Sequence, residues 1–274
     1  KLFFSSFNAH LGVLRGAHIG NLADLEEALV RSEPFYTKDH FSYQINAPFQ
    51  KVNHHLLKWQ TTFLLDESHK FDLTHAVQWD LRKEFDVRRA GRSLRPAMSL
   101  NQTSNFTELK YNGHLFNDWE VSSGFQINVM NNFNEPGTGI LPLIPDYKSN
   151  KLGIFILAIK KIEQFNFELG GRYDYLDQRV ATITRGIVKE IKRYHNNVSN
   201  IGLSGGAKYI FSNSLNLSYN IGLASRNPGI NELYSFGLHQ GVSGIEEGDP
   251  DLVREEAIKN TLSLSGKINS KILF

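Results

Sequence analysis

The sequence has no cysteine, which excludes a disulfide scaffold and any thiolate metal site. It also has no apolar run near the roughly 18 residues that a membrane-spanning helix requires, and the longest candidate is Leu152 to Ile159. Neither sign of charge prevails. Lys and Arg total 30 against 28 Asp and Glu, a formal charge of +2 that implies no attraction to nucleic acid. No His-Glu-x-x-His helix, nucleophile elbow or phosphate-binding glycine loop occurs, so no catalytic residue and no cofactor is indicated. Disorder is excluded as well, because 41% of the chain is hydrophobic and 21% charged. The mean hydropathy of −0.33 suits a soluble protein, yet a membrane β-strand is apolar only at every second position and averages out as mildly polar. The start, Lys1-Leu2-Phe3-Phe4, carries no initiator Met and no complete secretory signal, and the expectation is an internal piece of something longer.

What is present is a period of two. Phe71, Leu73, His75, Val77, Trp79 and Leu81 alternate with Asp72, Thr74, Ala76, Gln78, Asp80, Arg82 and Glu84. The same parity returns in Trp119, Val121, Phe125, Ile127, Val129 and Phe133, in Phe165 to Tyr175, and in Leu215 to Leu223. Such alternation puts an apolar row on one face of a strand and a polar row on the other. Several runs exceed ten residues, whereas strands of globular proteins average about 5–6 and a tilted strand crossing a bilayer takes about 9–11.

The connections alternate too. Short ones are expected at Asp66–Lys70, Asn112–His114, Glu163–Gln164, Ser212–Ser214 and Asn269–Ser270. Long ones are expected at Gly16–Gln44, Phe85–Pro96, Asn134–Asn150, Val180–Val198 and Arg226–Glu256. Short turns on one side and long loops on the other are the habit of antiparallel outer-membrane barrels. The first long loop predicts a helix with Leu22, Leu25, Ala28 and Leu29 on one face, capped by Asn21 or Asp24 and stopped by Pro34. Trp59, Trp79 and Trp119 all fall on apolar faces. Against lipid they would form part of an interfacial girdle, and in a soluble sandwich they would fill the core.

Three segments then carry a resemblance. Arg226-Asn227-Pro228-Gly229-Ile230-Asn231-Glu232-Leu233-Tyr234, Gly248-Asp249-Pro250-Asp251-Leu252-Val253-Arg254-Glu255 and Leu169-Gly170-Gly171-Arg172-Tyr173-Asp174 resemble elements of TonB-dependent outer-membrane receptors, in the family's order. Asp249 departs from the family's usual Asn. The style of Pro136–Gly139 and Leu143–Tyr147 is similar to receptors of Bacteroidetes-like bacteria.

The resemblance implies an all-β fold, an antiparallel transmembrane β-barrel with long extracellular loops. About ten or eleven strands lie here of about 22 in such receptors. Residues 1–274 are expected to be part of that barrel, with the plug domain outside the sequence and Lys271–Phe274 starting a further strand. It implies a place in the bacterial outer membrane and no enzyme activity. The implied activity is energised uptake of a scarce nutrient, foremost an iron–siderophore or other iron chelate. The partners would be the TonB–ExbB–ExbD complex through the plug, outer-membrane lipid and lipopolysaccharide. The alternative from the residues alone is an extracellular β-rich carbohydrate-binding or scaffold protein, whose apolar rows would pack sheet on sheet.

Physical roles follow within the resembling segments. Pro228 and Pro250 lack an amide donor, and Gly229 and Gly248 admit positive φ, so both segments break the ladder. Glu232 and Glu255 are placed to pair with Arg226 and pin the long loop at the rim. A structural role is expected for these residues and for Arg172, Tyr173, Asp174, Leu233, Tyr234 and Leu252. As ligand candidates, His18, His195 and His239 fall in expected outer loops, where they are either exposed loop histidines or contacts for an iron chelate. Arg88, Arg89, Arg92 and Arg95 form a basic cluster in the second long loop, either solvated or attracting an anion by charge. Adjacent His54 and His55 point to opposite faces and cannot share a metal. The acids between Glu246 and Glu256 read as a solvated loop.

Overall fold

The computed structural model describes residues 1–13, 22–33, 43–88, 91–115, 118–184, 187–239, 244–269 and 272–273. Among them, eleven strands form one antiparallel sheet. The long ones are β1 (Leu2–Gly12), β2 (Phe49–Leu64), β3 (Lys70–Phe85), β4 (Pro96–Leu115) and β5 (Trp119–Asn134). They continue as β6 (Asp146–Ile162), β7 (Phe165–Ile183), β8 (Ile191–Ser212) and β9 (Leu215–Arg226). Helices α1 (Leu22–Val30) and α2 (Ile230–Tyr234) lie in loops, and β10 (Phe236–His239) and β11 (Gly244–Glu247) form a separate hairpin. The sheet ends with β12 (Glu255–Asn269) and the two-residue β13 (Ile272–Leu273). Strands adjacent in sequence are adjacent in the sheet, except that β12 follows β9 across the loop holding α2.

Burial is inverted relative to a water-soluble core. Ile154, Ile156 and Leu169 are 54%, 51% and 56% exposed, while Asn132, Asp174 and Gln178 are 4%, 8% and 8% exposed. The ladder register explains this. Asn132, Ser149 and Gln178 share one face of β5, β6 and β7, and Leu152, Ile154 and Ile156 share the other. On β7 the outward row reads Phe165, Phe167, Leu169, Gly171, Tyr173 and Tyr175, then changes to Asp177 and Arg179. A rise of ~3.3 Å per residue and a tilt of ~45° make Phe165 to Tyr175 about 23 Å tall, close to the ~25 Å apolar band of outer-membrane barrels. Aromatic rings gather where the band meets the short turns. Phe165 packs on Tyr209 and Phe167 with centroids 4.7 and 5.7 Å apart, and Phe71 on Tyr111 at 5.4 Å. Among the described residues no second sheet covers the apolar rows, as a sandwich would require.

Three expected connections differ. Asn112–His114 is not a turn: β4 continues to Leu115, with Gly113 paired to Val121. The bare face of Gly113 lies under the Tyr111 ring, whose hydroxyl is 2.6 Å from His69 Nδ1. The loop expected at Val180–Val198 shrinks to the segment between Ile183 and Ile191, because the ladder runs on through Val180–Tyr194 and Ile183–Ile191. Charged residues there stand above the lipid and need not alternate with apolar ones. Likewise β6 starts at Asp146, whose carboxylate accepts from the Asn134 amide at 2.8 Å. The helix expected in the first loop is present as α1 and starts ahead of Asp24. Asn21 and Pro34 lie outside the described residues.

Placed alone in buffer, the 274-residue chain is expected to aggregate and to need detergent or lipid, because its apolar rows have no protein partner. Light scattering that found a soluble monomer would overturn the assignment of those rows to lipid.

Candidate functional site

The inward face carries a connected polar wall. Arg172 Nε donates to Asp174 Oδ2 at 2.8 Å, and Arg172 Nη2 donates to Asp174 Oδ1 at 2.6 Å. The same Nη2 reaches Gln126 Oε1 on β5 at 2.7 Å, and Gln126 Nε2 donates to Glu108 on β4 at 2.5 Å. Lys151 Nζ on β6 closes the group at 3.6 Å from Asp174. Arg172 must cross β6 to do this, and it crosses at Gly153, which pairs with Gln126 on one side and Asp174 on the other. A Cβ at Gly153 would stand 2.6 Å from the guanidinium, so the glycine keeps the path clear. Phe155 supports the guanidinium carbon 5.9 Å above its ring. Nearer β2, His54 Nδ1 lies 3.0 Å from Asp80 on the same inward face.

Above this wall the long loop after β9 folds into a roof. Arg226 and Glu255 are direct ladder partners at the mouth of β9 and β12. Arg226 donates to Glu232 through Nη1 and Nη2 at 2.8 and 3.1 Å and to Glu255 through Nε at 3.1 Å. Glu232 also accepts the Gly229 amide at 2.5 Å and so caps the start of α2, next to Pro228, which has no amide to donate. The short helix turns Ile230, Leu233 and Tyr234 onto Val180, with Tyr147 and Tyr194 at the margin. The Tyr194 and Tyr234 rings stack at 4.5 Å, and the Tyr234 hydroxyl donates to Asn196 at 2.9 Å. Gly248 donates to Ser235 O at 2.7 Å, and its missing side chain is required, since a Cβ would meet Tyr234 N at 2.6 Å. Beyond it the Asp249 carboxylate accepts the Asp251 amide at 2.9 Å, a turn around Pro250 that leaves Leu252 half-exposed.

The roof also bridges a split in the sheet. β8 pairs with β7 from Ile191 onward but with β9 only from Leu203. Over the gap, Ser225 Oγ donates to Ile201 O at 3.1 Å and Arg254 donates to Ser199 O at 3.2 Å. Electrostatics reinforce the clamp. Arg226 and the Gly229 amide hold the Glu232 carboxyl down at about 2, and Glu232 with Glu255 pushes the Arg226 guanidinium up. Burial raises the Tyr234 phenol.

The ligand candidates from the sequence are not gathered into one place. Arg88 is tied down at the rim, donating from Nη1 to Thr138 O in the loop after β5 at 3.0 Å and from its amide to Ser93 in its own loop at 2.8 Å. Arg92 opens a short 3-10 turn and Arg95 closes it, both exposed at the rim. His195 lies within β8 and not in a loop, on the outward face, with Nε2 2.6 Å from Asp177. The backbone of His239 pairs with Gly244 in the small hairpin. His18 and Arg89 lie outside the described residues.

Residues 9–265 match the family described as TonB dependent receptor-like, beta-barrel. The chain belongs to that family. Comparison with curated protein sequences gives no match. Among solved structures the barrel resembles Fiu, the ferric-catecholate import receptor of E. coli K12, at 10% identity and a TM-score of 0.69, over 98% of this chain and 46% of that one. It resembles the siderophore receptor PiuA of Acinetobacter baumannii at 9% identity and a TM-score of 0.60, over 97% of this chain and 44% of that one. FyuA, the ferric yersiniabactin uptake receptor of Yersinia pestis, is similar at 11% identity and a TM-score of 0.52, over 80% of this chain and 34% of that one. At such identities the likeness is one of fold. The barrel chain spans less than half the length of these proteins. Its place is the bacterial outer membrane.

Sequence reasoning singled out Arg172 and Asp174 but missed their partners Gln126, Glu108 and Gly153. The available signal was parity: Gln126 stands in a polar row, and Gly153 interrupts an otherwise bulky strand.

Two outcomes are expected of the roof in the full-length receptor. The Glu232 pairing should be complete above its ordinary value of 4.5 and be lost as pH falls toward about 2. Cleavage of the loop by pepsin, normalised to an unstructured substrate, should therefore rise across that window. Glu232→Gln should be readily cleaved already at its upper end and show no further pH step. Gly248→Ala should loosen the roof by about 1–3 kcal/mol through overpacking, read as faster amide exchange in α2 with exchange in β3 to β6 unchanged.

Proposed function

We propose that the full-length protein imports a small iron chelate across the outer membrane, with TonB, energised by ExbB and ExbD, acting on a plug held inside the barrel. The observation that carries the reading is the pairing of an apolar outward face with a charged, hydrogen-bonded inward one. That arrangement encloses a polar path through hydrocarbon. The names of the structural neighbours, which describe ferric-catecholate, siderophore and ferric-yersiniabactin receptors, support iron chelates as the cargo class. Arg88, Arg92 and Arg95 at the rim supply positive charge suited to an anionic chelate, with His18, Arg89 and His239 as further loop candidates. No covalent chemistry on the cargo is part of this activity.

The test is uptake of radioactive iron complexes by cells grown without free iron. Deleting the receptor, or TonB, should abolish accumulation of at least one complex from a panel of catecholate, hydroxamate and phenolate chelates, and the plasmid-borne receptor should restore it. Unchanged uptake of every complex after receptor deletion, with growth on scarce iron unaffected, would sink the reading. Arg88→Gln/Arg92→Gln/Arg95→Gln should weaken capture about tenfold at low ionic strength and less at high salt, measured by binding of the same complex to the purified receptor.

A further inference from the structure

Above the lipid, β8 stands taller than the strand beside it. Its ladder with β9 stops at Leu203–Leu223, whereas its ladder with β7 runs up to Ile191. In an antiparallel ladder the N–H and C=O of one residue point to the same neighbouring strand. Ser199 O and Ile201 O accept from Arg254 and Ser225, on the β9 side. The backbone groups of Arg193, His195 and Asn197 share that parity and face the same way. On that side they have no hydrogen-bond partner among the described residues.

Beyond Arg226 the chain leaves the sheet through Asn227 and Pro228, and Leu252–Arg254 leads into β12. Between that run and the open edge of β8 lies a cavity of about 530 Å³, backed by Leu233 and Tyr234. β12 is two places from β8 in the sheet, and neighbouring strands lie about 4.8 Å apart. The slot is therefore one strand wide. Asn196 and Asn227 line it, and each buries an amide nitrogen with no partner among the described residues. Buried donors are seldom left unpaired.

We propose that this slot docks an extended acidic segment of another cell-surface protein, added to β8 as a further strand. The edge presents donors and acceptors in a row, which an extended backbone matches residue by residue. Asn196 and Asn227 add donors, and Arg193 adds an exposed cation, so carboxylates at alternate positions of the segment suit the site. The nearest acid on β7, Asp177, is already held by His195 at 2.6 Å. Arg193, His195 and Asn197 turn their side chains out of the barrel, so the occupant would lie in the wall and not on the import path. That position selects a docked protein over cargo. A second copy of the edge would bring Lys192 and Arg193 against like charges.

The test uses the purified full-length receptor in lipid nanodiscs and a labelled peptide alternating glutamate with valine, read by fluorescence anisotropy. No iron complex takes part, so its failure is separate from that of the uptake reading. Wild type should bind this peptide about tenfold more tightly than a lysine–valine counterpart. It should show the same margin over the glutamate peptide N-methylated at every amide. Asn197→Pro removes an N–H that faces the open edge and none that serves β7, and should weaken binding about tenfold. Asn197→Ala keeps that N–H and should bind as wild type does. Arg193→Glu should turn the preference toward the lysine peptide. If Asn197→Pro does not fold, the N-methylated peptide decides alone. Equal binding of methylated and unmethylated peptides would overturn the proposal. Accumulation of the peptide inside receptor-bearing cells would make it cargo, and a wild-type dimer that Asn197→Pro dissolves would make a second copy the occupant. Either result overturns it as well.

Discussion

In hydrocarbon no water is available to satisfy a backbone amide or carbonyl, and each one left unpaired costs several kcal/mol. The continuous ladder from β1 to β9 and on to β12 meets that demand, and everything else in the molecule is subordinate to it. Because the ladder sets parity, a slip of one residue would put Asp174 and Gln178 against lipid and Tyr173 and Tyr175 into the lumen. The alternation of side chains and the pairing of backbones are thus one constraint seen twice. Strands that hold it for a dozen or more residues need no core, which is why most of the buried side chains outside the roof are polar.

The wall built this way is stiff enough to carry loops that are not constrained by lipid. The roof after β9 shows how. Arg226 is both the last residue of a strand and the hub of a charge cluster, so the register of the sheet directly places Glu232 and Glu255. From there α2 reaches Val180, which belongs to the upper, water-side end of β7. A small apolar core of Val180, Ile230, Leu233 and Tyr234 therefore forms above the membrane, on the inward face, where a polar lumen wall gives way to ordinary packing. The split between β8 and β9 lies at the same end of the sheet, and side chains of the roof bridge it.

Much of this was legible in the residues. Alternation from Phe71 to Glu84 announced β3 to within a residue, and the turns at Asp66–Lys70 and Glu163–Gln164 stand where the apolar parity is interrupted. The ion pairs of Arg226 were foreseeable because the resembling segments bring Arg226, Glu232 and Glu255 to a single loop. Asn112-Gly113 misled because the pair is a common turn signal, and the packing of Tyr111 and His69 over the glycine has no trace in local sequence. The upper halves of β7 and β8 misled for another reason. Once above the lipid, a strand loses the medium that enforces alternation, and its sequence looks like loop.

By itself the sequence determined the two faces of the sheet, because apolar and polar side chains at alternate positions can be satisfied only by different surroundings. It determined the chain's family too, through three short segments whose glycines, prolines and charges are tied to backbone geometry. Only the tertiary structure decided which charges meet. Arg172 finds Gln126 across an intervening strand because Gly153, level with Gln126 and Asp174, leaves the path open, and His195 turns outward to Asp177 because the ladder, and not a loop, carries it. Such meetings depend on the register of strands far apart in the chain, and register is a property of the assembled sheet.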